Sequence, residues 1–114
     1  MSNDTIIRHG NIGGEPRLFQ TPSGKIKAVL SLASTTIARD PEGNTTKSTI
    51  WTPVVLWGTS MVDRALANLH KGTKALFEGK MVTRNWTDQE GNTRTTEELV
   101  AHNFHLLATR KSAQ

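Results

Sequence analysis

Only one stretch of this chain, Thr59 to Lys71, spaces its apolar residues as a helix does; the other patterned stretches alternate with period two. Within it Val62, Ala65, Leu66 and Leu69 make a single stripe. Ser60 and Asp63 have the spacing of a capping box, and Gly72 stands where a C-terminal left-handed residue is needed. Lys25 to Ser34 alternates Ile26, Ala28, Leu30 and Leu32 against Lys25, Lys27, Val29 and Ser31. Ala75 to Trp86 does the same, with Ala75, Phe77, Gly79, Met81 and Thr83 as the core face and Arg84 and Trp86 together on a mostly polar one. Such a chain must bury one side of a sheet and use its single helix to cover a face or an end. At 114 residues it is one domain, expected over 1–108, with a short polar C-terminal end at 109–114.

The connections follow from turn chemistry. Residues 5–20 read as two short extended pieces interrupted by Gly10, Gly13 and Gly14, and Thr21-Pro22-Ser23-Gly24 is a turn. Asp88 to Asn92 is a hairpin turn leading into a last strand from Arg94 to Leu107. Residues 35–48 lose alternation and gather Asp-Pro, Glu-Gly and Asn, which predicts a long loop carrying Arg39 and Lys47 beside Asp40 and Glu42. No internal repeat is read.

Trp51 to Gly58, W-T-P-V-V-L-W-G, is apolar on both faces. Trp51 and Trp57 lie six residues apart, so on a strand both indoles leave the same face, about 20 Å from each other. One reading buries them in a fully covered strand; the other makes them separate platforms on a surface. The chain has three Trp, three Phe and no Tyr, so the tryptophans are half of its aromatic residues. With Trp86 beside Arg84, and Lys25 and Lys27 on a neighbouring strand, they have the composition of a groove that stacks bases and neutralises phosphates. The net charge of +4 agrees with a polyanionic partner.

Other chemistries find little support. G-N-I-G-G lacks the Lys-Ser/Thr ending of a phosphate loop, and the absence of cysteine excludes disulfides and thiolate chemistry. His102 and His105, three apart on a strand, are expected on opposite faces and therefore not to share a metal. Glu97 and Glu98 alternate faces, so no carboxylate pair forms. The expectation is a binding protein without catalytic residues, cofactor or metal. No apolar run is long enough to span a bilayer, and the start lacks the features of a signal peptide, which predicts a cytoplasmic location.

The element order, strand, strand, long connection, strand, helix, hairpin, strand, is that of an all-β OB-fold with one helix, a five-stranded Greek-key barrel. Four segments, G-N-I-G-G-E-P (10–16), I-W-T-P-V-V-L-W-G (50–58), K-G-T-K-A-L-F-E-G (71–79) and T-R-N-W-T-D-Q-E-G (83–91), resemble the bacterial single-stranded DNA-binding protein family over about residues 5–107. The resemblance implies single-stranded DNA binding in replication, recombination or repair, in the bacterial cytoplasm on the nucleoid, as a homotetramer or otherwise a dimer. It places Trp51, Trp57 and Trp86 on the stacking positions and Arg84 and Lys71 on basic positions near the DNA.

Three departures are visible. Ile37-Ala38-Arg39 offers no aromatic at the start of the long connection, and Asn85 and Thr59 replace common lysines. The third is that no acidic, aromatic-tipped tail follows, so tail-mediated recruitment of partners is not expected. That leaves a primosomal replication protein, a dimer bridging single strands and replication proteins, as the alternative. A phage or plasmid single-strand binder is a further one, and an OB protein-interaction module with interface tryptophans is another.

Overall fold

A computed structural model of the chain describes residues 5–108. The expected polar end at 109–114 lies outside them. Six strands and one helix follow in the order β1 (Ile6–Ile12), β2 (Arg17–Gln20), β3 (Ile26–Arg39), β4 (Thr45–Trp57), α1 (Thr59–Asn68), β5 (Lys74–Thr87) and β6 (Thr93–Ala108). The strands pair as β1-β5-β6-β4-β3-β2, and β1 also pairs with β3. That extra pairing closes a five-stranded barrel, β1-β3-β4-β6-β5-β1, and leaves β2 as a short strand on the outside of β3. The architecture is the OB-fold expected from the element order.

The barrel fills itself with residues that alternation assigned inward on β3 and β5 and with apolar residues of β4 and β6 that it did not assign. Ala28, Leu30, Leu32, Val54, Leu56, Ala75, Phe77 and Leu99 are buried, and Phe77 meets Phe104 with ring centroids 6.0 Å apart. Two glycines let the walls close. A β-carbon on Gly10 would strike the Ala33 carbonyl of β3, and one on Gly79 would strike the Val100 carbonyl of β6, so each strand passes its neighbour where only hydrogen fits. At Gly79 the β5–β6 register also shifts, Glu78 facing Asn103 while Gly79 faces Ala101. His102 is the extra residue of that bulge. The shift in phase puts both His102 and His105 outside, with Ala101 and Phe104 inside, correcting the expectation of opposite faces.

The helix covers one end of the barrel through Val62, Ala65 and Leu69, all buried; Leu66, assigned to the same stripe, is exposed instead. Its start does not use the Ser60–Asp63 box. Gly58, at φ 100°, is the N-cap, its carbonyl accepting from the Val62 N–H at 2.9 Å, and no side chain caps the helix. The helix ends at Leu69, so Gly72, at φ 91°, closes a separate turn whose N–H donates to the Ile12 carbonyl.

The expected loop over 35–48 is mostly strand. β3 and β4 remain paired from Lys27 and Trp57 out to Arg39 and Thr45, and only residues 40–44 turn. This hairpin and the one formed by β5 and β6 both carry their strands well past the barrel. Their tips, Asp40-Pro41-Glu42-Gly43-Asn44 and Asp88-Gln89-Glu90-Gly91-Asn92, are the same device. In each, the first aspartate carboxylate accepts from the N–H groups two and four residues on, at 2.8 to 3.0 Å, and the glycine is left-handed. These bonds favour the ionised form. The Asn44 N–H and side-chain amide hold Asp40 below the usual carboxylate range, and Arg94, with the Asn92 N–H, does so for Asp88.

Candidate nucleic-acid interface

The strand order and registers join the polar sides of five strands into one continuous outer face. Cross-strand partners run Arg17–Val29–Val55 over β2, β3 and β4, then Val55–Val100–Lys80 over β4, β6 and β5. Val55 is only 2 % exposed although it faces outward, because valines flank it on both sides. Alternation from this row places Trp57, Trp51, Lys47 and Arg39 on the same face along the first hairpin, and Val82, Arg84 and Trp86 along the second.

All three tryptophans are therefore surface residues. Trp51 is 60 % exposed, Trp57 40 % and Trp86 43 %, which decides against the buried-strand reading. Each indole is held differently. The Trp51 ring lies against Gly13 in the β1–β2 connection, where a β-carbon would come within 2.5 Å of its Cζ3. Trp57 opposes Lys27, whose Nζ sits 5.1 Å from the ring centroid. Trp86 donates its Nε1–H to Thr96 Oγ1 at 3.0 Å, which fixes the ring over β6.

The cations fall into groups. Lys25, in the β2–β3 turn, and Lys27 accompany Trp57, and with Gly24, Ile26, Gly58 and Thr59 Lys25 lines a shallow groove beside that indole. Arg39 and Lys47 lie toward the tip of the first hairpin. Arg84 Nε is 3.6 Å from Glu98 Oε2, so it reaches the face already opposed by a carboxylate. Lys71 stands apart, in the α1–β5 connection, its backbone N–H donating to Glu15 Oε2 at 3.2 Å. Sequence reasoning missed Arg17 and Phe19, the outward pair of β2. The signal was present, because a turn over Thr21 to Gly24 pairs Gln20 with Ile26 and hence Phe19 with Lys27.

Among the described residues no three His, Cys, Asp or Glu side chains gather as a metal site requires. His105 instead faces Glu78, Nε2 to Oε1 3.6 Å. No helix among them is long and apolar enough to cross a membrane.

An OB barrel whose aromatic and basic side chains spread over an open sheet face, with the helix tucked beneath one end, is of the class whose binding surface is that face and its hairpins. Comparison with known proteins narrows the class. The model of the single-strand binding protein family matches residues 3–107, and the chain belongs to that family. A single-stranded DNA-binding protein 1 of Xylella fastidiosa is 33% identical over 103 residues, covering 90% of this chain and 75% of that protein. Among solved structures, a Plasmodium falciparum SSB in complex with ssDNA superimposes with a TM-score of 0.85 at 24% identity, covering 94% of this chain and 97% of the other. A small single-stranded DNA-binding protein from Streptomyces coelicolor gives 0.72 at 21% identity, over 93% and 95% of the two chains.

Proposed function

We propose that this protein binds single-stranded DNA along the outer sheet face with little base preference, in replication, recombination or repair within the bacterial cytoplasm. Bases stack on Trp51, Trp57 and Trp86, while Arg84, Lys25, Lys27, Arg39 and Lys47 neutralise phosphates on that face and Lys71, in the α1–β5 connection apart from it, takes a phosphate of the strand beyond the face. The observation that carries this reading is the placement of three half-exposed indoles on one continuous face interleaved with cations. Stacking needs a π-face that every base possesses, which is why base identity matters little.

Saturating oligo(dT) is expected to quench the intrinsic tryptophan fluorescence, and the binding constant should fall as a power of salt concentration as counterions are released. Unchanged fluorescence at saturation, or binding indifferent to salt, contradicts the reading. The same proposal takes the protein as a homo-oligomer, tetramer before dimer, with the exposed Leu106 and Leu107 of β6 as candidate contact residues. Light scattering at micromolar concentration should report a multiple of the chain mass of 12.5 kDa; the mass of a single chain contradicts it.

A further inference from the structure

Phe19 lies on β2, the four-residue strand outside the barrel, where every residue is exposed. It is 45 % exposed, as open as Trp57 and Trp86, and it faces outward with them. The register sets Phe19 opposite Lys27 and Lys27 opposite Trp57. The Lys27 Nζ stands 5.8 Å from the Phe19 ring centroid and 5.1 Å from that of Trp57, one ammonium attracted by both rings. Two rings held two strand spacings apart, roughly 9.5 Å, with a cation between them are already arranged as alternating base and phosphate contacts.

We propose that Phe19, Lys27 and Trp57 form a nucleotide subsite at the β2 edge, in which Phe19 is a fourth stacking platform and Lys27 takes the phosphate between the bases on Phe19 and Trp57. The inference rests on the single-stranded DNA reading and extends the path of the strand beyond β3. A phosphate draws the ammonium from between the rings and replaces a cation–π attraction with a charge pair. Withdrawal of the lysine uncovers the two π-faces for bases. The bland account of Phe19, an apolar cover for the Lys27 stem, requires only an apolar side chain of similar size.

Phe19→Leu separates the two, since it keeps the cover and removes the ring; Phe19→Tyr keeps both. Wild type and both variants are titrated with oligo(dT) of graded length, read by tryptophan fluorescence, alongside thermal melts. For oligonucleotides long enough to reach β2, Phe19→Leu is expected to weaken binding by about 5- to 150-fold, the cost of one base–aromatic stack, while Phe19→Tyr binds as wild type. The shortest oligonucleotides should bind wild type and Phe19→Leu alike. Equal affinities at every length overturn the subsite, as does an equal loss in both variants or a thermal midpoint lowered by the leucine as much as by a core change. Wild type that binds no length overturns the DNA reading itself, and the subsite with it.

Discussion

Trp51→Ala lowers the affinity for oligo(dT) by about 5- to 150-fold, the 1–3 kcal/mol that loss of one stacked base costs, and leaves the thermal midpoint nearly where it was. Trp51 is the most open of the three indoles, and its ring gives up contact with Gly13 rather than with the barrel interior. An exposed side chain of this kind contributes within about 0.5 kcal/mol to stability. Trp57 and Trp86 remain to report binding by fluorescence. A variant that binds as tightly as wild type removes Trp51 from the site. One that unfolds well below the wild-type midpoint shows its ring to be structural.

The largest effect on stability is expected from Gly79→Ala. The added β-carbon meets backbone in both directions, the Val100 carbonyl and the Ala101 Cα at 2.7 Å, where no side chain can rotate away. Relief requires β5 and β6 to move apart at the bulge that His102 makes in β6. Overpacking against backbone costs about 3 kcal/mol or more, which at 4–8 °C per kcal/mol lowers the midpoint by roughly 12–24 °C. Calorimetry reads this directly, and a midpoint within a few degrees of wild type would show that the strands separate there cheaply. DNA affinity per folded molecule should not change, because Gly79 points inward.

The inward residues of β3 and of the barrel half of β5 were legible from alternation because each strand covers a core on one side only, whereas β4, apolar on both faces, gave no such choice. The same rule fails outside the barrel. Thr45 to Thr49, T-T-K-S-T, has nothing apolar to bury along the first hairpin, so its strand carries no alternating signal and reads as loop, although threonine suits a strand well. The tryptophan faces were legible because strand parity needs no tertiary information; their exposure was not, since it depends on which strands flank them. Phe19 was within reach of turn arithmetic and was missed because β2 is too short to show a pattern. The His102 bulge was not readable at all, since it shows only in the β5–β6 register, beside Gly79. The capping box had the right spacing, but the chain enters the helix through the left-handed Gly58, which moves the first turn ahead of Ser60.

Among the described residues the two long hairpins pair directly at three parallel positions, Val54–Leu99, Val55–Val100 and Leu56–Ala101, and Pro53, with no N–H to donate, stands just before that short ladder begins. This is a short seam in the barrel wall beside the long ladder that joins β3 to β4, and the proposed route from Trp57 or Trp51 to Trp86 crosses it. A strand of DNA laid along that route works as a clasp, tying one hairpin to the other from outside at a place where the protein's own ladder is short. Binding and integrity of the fold then share one line on the surface: whatever pries the hairpins apart must first peel away the ligand, and a ligand that spans only one hairpin gives the wall no such support.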